Sequence, residues 1–173
     1  MRFFIALMLF AIAALSWNNV RAFPDGAPWG AANPAAEQNC AACHFGSDPV
    51  HDSEALVIDG LPRSPVSGTV YDLEIIFEDP DTVIAGFQLI AMIEDRQAGT
   101  FGSSAADVEF IGAIIRSTAP LLYNGRVSWM VEWRAPAVVA SPIVFYVAAS
   151  AANDDESPFG DTIHFRSYKL AAE

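Results

Sequence analysis

The sequence predicts an all-β fold, an immunoglobulin-like antiparallel β-sandwich of about seven strands preceded by an irregular segment. Three observations predict it. Apolar and polar residues alternate in several stretches, as in Tyr71, Leu73, Ile75 and Phe77 against Asp72, Glu74 and Glu78. Turn-forming clusters rich in Gly, Pro, Asn and Asp separate those stretches. No convincing amphipathic helix lies between them. A period of two with one apolar face means antiparallel sheets packed on one side.

Residues 1–22 read as a secretory signal peptide. Arg2 precedes an apolar run over 3–15, and the polar stretch after it ends Val20-Arg21-Ala22, a Val-x-Ala ending suited to cleavage before Phe23. The alternative is a retained anchor, for which the run is short. No cysteine follows at the cleavage point, so nothing points to a lipoprotein. The protein is expected outside the cytoplasm, periplasmic or extracellular, where disulfides are permitted and where bacteria attach c-type haem.

Cleavage would remove Arg2 and Arg21 from the 9 basic residues and leave all 21 acidic ones, taking the formal net charge from −12 to −14. Such a chain repels nucleic acid and anionic membranes. A basic protein partner, or simple solubility outside the cell, fits the charge. The remaining length suits one domain with its own core.

Residues 23–54 show no hydrophobic period and are punctuated by Pro24, Gly26, Pro28, Gly30, Pro34, Gly46 and Pro49. An irregular stretch this long is functional or tied down in a compact domain. It holds the only two cysteines, in Cys40-Ala41-Ala42-Cys43-His44, a C-x-x-C-H pattern. In c-type haem attachment two such thiols add to the porphyrin vinyl groups, and the adjacent imidazole becomes the proximal iron ligand. Cys40 and Cys43 are therefore the candidate attachment residues for one covalent haem c, and His44 the candidate proximal ligand. A Cys40–Cys43 disulfide is the alternative, although a loop of two residues gains little from closure. Zinc is a weaker alternative, since only His51 lies near enough in sequence to complete four ligands.

From residue 55 to 173 seven strands are expected, at 55–61, 69–78, 85–94, 107–116, 126–134, 142–150 and 161–170. In the fifth, Val127, Trp129, Val131 and Trp133 alternate with Ser128, Met130, Glu132 and Arg134, which places both tryptophans in the core. Trp29, in the irregular segment, is placed to cover a haem face or the sandwich end. Asp79, Asp81 and the run Asp154-Asp155-Glu156 supply oxygens that could bind calcium, but neither group has a recognisable loop spacing. No hydrolase, nucleotide or metalloprotease motif is present, so no enzyme is expected.

The sixth iron position has four candidates in the mature chain. His164 alternates with Ile163 and Phe165, and is expected on the outer sheet face against which a haem segment could dock. His51 follows His44 by seven residues in an acidic loop. His164 is favoured as distal ligand, with His51 close behind. Met92 and Met130 fall on outer faces, where a thioether is usually packing filler.

The order of motifs resembles the bacterial choice-of-anchor V domain, a relative of the Reeler (reelin-type) β-sandwich. The residues that carry the resemblance are Gly26-Ala27-Pro28 before the C-x-x-C-H, Gly86-Phe87-Gln88-Leu89-Ile90-Ala91, Ala98-Gly99-Thr100-Phe101, and Trp129-x-Val131-x-Trp133-x-Ala135-Pro136. They also include Val144-Phe145-Tyr146 with Ala148 to Asn153, and Gly160-Asp161. The resemblance implies an extracytoplasmic β-sandwich with an N-terminal C-x-x-C-H segment. It implies little about activity. The C-terminus shows no apolar anchor of the kind that gives the family its name. Two functions follow as expectations. One is an exported single-haem c-type cytochrome-like protein that transfers electrons to a redox partner. The other is a non-redox secreted or cell-surface binding or adhesion module with Cys40 and Cys43 as a disulfide.

Overall fold

The computed structural model describes residues 28–172 apart from Tyr123 and Glu156; the expected signal peptide over 1–22 lies outside the described residues. Among the described residues, one 3-10 turn, Cys40–Ala42, precedes the strands. These are β1 (Phe45–Gly46), β2 (Leu56–Asp59), β3 (Val70–Phe77), β4 (Ile84–Ile93), β5 (Arg96–Gln97), β6 (Thr100–Gly102), β7 (Val108–Ile111), β8 (Ile114–Ser117), β9 (Leu121–Leu122), β10 (Val127–Arg134), β11 (Ile143–Ala152) and β12 (Phe159–Leu170). They form two sheets. The larger runs β1-β12-β11-β4-β8-β7, with β5 and β9 also pairing β4, and the smaller runs β2-β3-β10-β6. Pairing is antiparallel except where β1 lies parallel to β12.

The alternation read in the sequence builds the layer between the sheets. Trp129 pairs with Ile75 and Val131 with Leu73 across β10 and β3, and all four side chains are buried. The facing sheet contributes Phe87, Leu89, Phe145 and Val147. Aromatic rings lock the layers: Phe87 and Trp129 have centroids 4.7 Å apart, and Trp133 meets Phe145 edge-on at 4.8 Å. Burying each such side chain contributes about 1.5–3 kcal/mol. Trp133 Nε1 donates to Ala98 O at 2.9 Å. The next residue, Gly99, lies at φ +76, and a Cβ there would strike the Arg134 carbonyl. The Ala98-Gly99 and Trp133 motifs are thus one packed unit.

Six of the seven expected strands coincide with β2, β3, β4, β10, β11 and β12. The stretch 107–116 is instead the hairpin β7–β8, turning at Gly112-Ala113. β1, β5, β6 and β9 span two or three residues each, too few for a period to register.

A second difference concerns the larger sheet, which is covered on both faces rather than one. Six consecutive residues of β4, Phe87 to Met92, are buried. Their alternate members Ile90 and Met92 join Ile114, Ala148, Ile163 and Phe165 in an apolar cluster on the outer face, closed by Ala32, Cys40 and Ala41. The segment before the sandwich is a packed third layer over part of this sheet. Near-continuous apolar runs are the mark of a strand covered on both sides. Among the described residues, no helix is long and apolar enough to cross a membrane.

Candidate functional site

The C-x-x-C-H segment is held by hydrogen bonds of its own. Successive turns run from Pro28, with Ala31 N–H donating to Pro28 O, Asn33 N–H to Gly30 O and Ala36 N–H to Asn33 O. Asn39 Nδ2 donates to the carbonyls of Pro34 and Ala36, at 3.0 and 3.1 Å, and draws the loop shut. Cys40 N–H donates to Ala31 O at 3.0 Å, and the 3-10 turn sends His44 N–H back to Cys40 O. Ala31 and Ala32 have side chains small enough for their backbone to lie on the sheet. There the buried Gln88 of β4 accepts the Ala32 N–H through Oε1 at 3.0 Å.

Beyond His44 the chain pairs with β12, Gly46 opposite Asp161. Gly46 has φ +123, and a Cβ there would collide with Gly160 N, so only glycine allows this approach. The pairing sets His44 against Asp161: Nδ1 lies 2.6 Å from Oδ2. The Asp161 side chain is 4% exposed and that of His44 40%. The second Asp161 oxygen, Oδ1, is buried without a hydrogen-bond partner.

His44 stands where two shallow clefts meet. One, of about 360 Å³, is lined by His44, Gly86, Pro120, Ser150, Asn153 and Asp161 among others. The other, of about 300 Å³, reaches from Cys40 and His44 across Gly86, Gln88, Ala148 and Ser150 to Arg116. Gly86, Ala148 and Ser150 floor the space because their side chains are too small to fill it. Arg116, paired with Glu109 at 2.7 Å, forms its far wall.

Cys40 and Cys43 are both free thiols. Burial, and then the neighbouring Cys43, push the Cys40 thiol up to about 12. A thiol held protonated is a poor nucleophile in disulfide exchange and a poor zinc ligand. No three His, Cys, Asp or Glu side chains among the described residues converge to hold a metal ion. A covalent haem needs less from the chain: two sulfurs and one imidazole nitrogen. Those three groups occur in one turn beside a floor of small residues, so the residues present fit that group.

The distal candidates are scattered. His164 does face away from Ile163 and Phe165, but that direction is the sandwich interior, because Ile163 and Phe165 belong to the outer cluster. Its ring meets Phe77 edge-on at 4.9 Å, and its Nδ1 lies 2.8 Å from Ser53 Oγ. Nε2 has no aligned partner, with Asp79 Oδ2 at 3.4 Å. Burial holds the ring below its ordinary pKa, against the pull of Asp79. The body of the sheet therefore separates His164 from the docked segment. His51 is on the outer face, stacked on Phe165 with centroids 5.7 Å apart. Phe165 is four residues along β12 from Asp161, about 13 Å at the usual rise. Met92 is buried in the outer cluster, and Met130 is exposed on the smaller sheet. Neither cleft is lined by a second histidine or by a methionine. Trp29 is exposed.

The acidic turns serve their own backbone. Asp79 Oδ1 accepts from Asp81 N–H and Thr82 Oγ1, and Asp155 accepts from Ser157 N–H and Asn153 Nδ2. Sequence reasoning missed Asp161 and Gln88 as site residues. Asp161 had one signal, the Gly160-Asp161 pair at the start of the last strand, which carried no stated role.

The fold defined by these two sheets is that of a reeler-type β-sandwich. The chain is similar to the human F-spondin reeler domain (fragment 1), with 23% identity over 74% of this chain and 95% of that one, at a TM-score of 0.53. It is likewise similar to the Reelin-N domain of F-spondin, with 22% identity over 76% and 94% of the two chains and a TM-score of 0.53. No family model and no curated protein matches the chain.

Proposed function

We propose that the chain is an exported, single-haem c-type module in which a reeler-type sandwich holds one covalent haem c on its docked N-terminal segment. One observation carries the reading. The two thiols and His44 share one turn, fixed by backbone hydrogen bonds, and Cys40 and His44 of that turn line a cleft floored by Gly86, Ala148 and Ser150. Cys40 and Cys43 would hold the group, and His44 would ligate its iron through Nε2, since Nδ1 is engaged by Asp161. Bound there, the haem would supply a one-electron centre. The small floor residues would give a planar ligand room. Neither His51 nor His164 lines either cleft, so water, a small molecule or a partner would complete the iron's ligands. An acidic protein of this kind would meet a basic redox partner. The motif order supports placement among choice-of-anchor V proteins, which rests on the sequence resemblance.

A second reading is a non-redox secreted or cell-surface binding module. The likeness to reeler domains favours it, because those neighbours share the fold across most of their length. Fold likeness thus weighs for this reading, and the thiol–imidazole turn weighs for the first.

Production in a host that matures c-type cytochromes separates them. The haem reading expects a red protein whose Soret band survives acid-acetone extraction, and loss of that band in Cys40→Ala/Cys43→Ala. A colourless wild-type protein from that host would overturn it and leave the binding module.

A further inference from the structure

We propose that Asp161 is a positioning residue for His44: it fixes the Nδ1–H tautomer, presents Nε2 to the clefts and makes that nitrogen a stronger donor. The electronic half of this proposal rests on the haem reading; the tautomeric half does not.

The geometry is specific. Asp161 Oδ2 lies 2.6 Å from His44 Nδ1, with the carboxylate side chain almost wholly buried. Its position is set by sheet pairing, Asp161 opposite Gly46, and not by a loose loop. Burying a carboxylate is costly unless its charge is met. Oδ1 has no partner, so the His44 contact is the hydrogen bond that compensates it. A carboxylate oxygen accepts and does not donate, so Nδ1 carries a proton, and in the neutral ring Nε2 keeps its lone pair. The ring is 40% exposed, and its free side lines both clefts.

A carboxylate partner does more than orient an imidazole. It draws the Nδ1 proton towards itself and leaves negative charge on the ring, which raises the basicity of the ligating nitrogen. A more basic ligating nitrogen favours ferric over ferrous iron, so with haem bound the carboxylate would lower the midpoint potential. Asp161→Asn keeps an acceptor of nearly the same shape and removes the charge. It therefore separates orientation from electronics.

Two measurements test the proposal. In haem-free wild-type protein, nitrogen–proton correlation NMR of the His44 ring should show Nδ1 protonated and Nε2 bare, with Asp161→Ala reverting towards Nε2–H. A neutral ring protonated at Nε2 in the wild type overturns the assignment, and this readout needs neither haem nor a variant that folds. In the haem-loaded protein, Asp161→Asn should shift the midpoint upwards while covalent haem content stays the same. An unchanged midpoint with haem in place overturns the electronic half and leaves the haem reading standing. Absence of covalent haem from the wild type overturns that half together with the reading it rests on.

Discussion

Ser53 and His164, 111 residues apart in the chain, meet side chain to side chain with Oγ 2.8 Å from Nδ1. The contact sits where residues 50–53 run beside β12, with Val50 N–H donating to Ile163 O and Ser53 N–H to Phe165 O. It ties the entrance of the sandwich to its last strand, and it places an ionisable ring between the sheets.

That ring gives the fold a pH dependence. Burial lowers the folded pKa of His164 beneath the ordinary 6.5 more than Asp79 raises it. The unfolded chain therefore takes the proton first, so the stabilisation is complete above about pH 6.5 and is lost as pH falls below it. His164→Asn should be less stable near neutrality yet lose less stability between about pH 7 and 5. Urea unfolding across that range reads both; parallel profiles for the two proteins would discard His164 as the source.

Gly46→Ala should undock the segment around His44. The positive φ and the collision with Gly160 N impose a cost of about 1–3 kcal/mol on the local structure. The expected outcome is a lower midpoint in thermal unfolding and faster proteolysis between residues 28 and 50. A midpoint equal to that of the wild type would mean that the close approach is not maintained in solution.

In haem-free protein the two thiols should differ in reactivity. Cys40, pushed up to about 12, stays protonated under conditions where an ordinary thiol begins to ionise. Alkylation near pH 8 followed by mass spectrometry should therefore find Cys43 modified well before Cys40. Equal rates would place Cys40 in solvent.

Gln88→Leu tests how the third layer is fastened. The substitution keeps the apolar surroundings and removes the acceptor of the Ala32 N–H, a loss of about 1–3 kcal/mol for a buried donor left unpaired. Hydrogen exchange at Ala32 should quicken while amides of β3 and β10 keep their protection. Unchanged exchange at Ala32 would remove Gln88 from the docking account.

The sandwich was legible because Trp129, Val131 and Trp133 alternate with polar neighbours, and Leu73 and Ile75 do the same on the strand that pairs with them. The outer layer was not. Ile163 and Phe165 bracket His164 in a strand buried on both faces, and there alternation cannot say which side is interior. That ambiguity placed His164 on the wrong side of its sheet. The thiols and His44 were singled out as candidates by spacing alone. Their partner Asp161 was not, because a contact 117 residues away in sequence leaves no local pattern.

The parallel pairing of β1 with β12 also sets an order of events in time. Chains emerge from synthesis and export N-terminal end first. The turn bearing Cys40 and Cys43 appears early, whereas Asp161, Ile163 and Phe165, against which it packs, appear among the last strand's residues. Until then the turn has no surface to lie on. On the haem reading, attachment to those thiols would have its window before the final strand arrives, and docking afterwards would close the turn against the sheet.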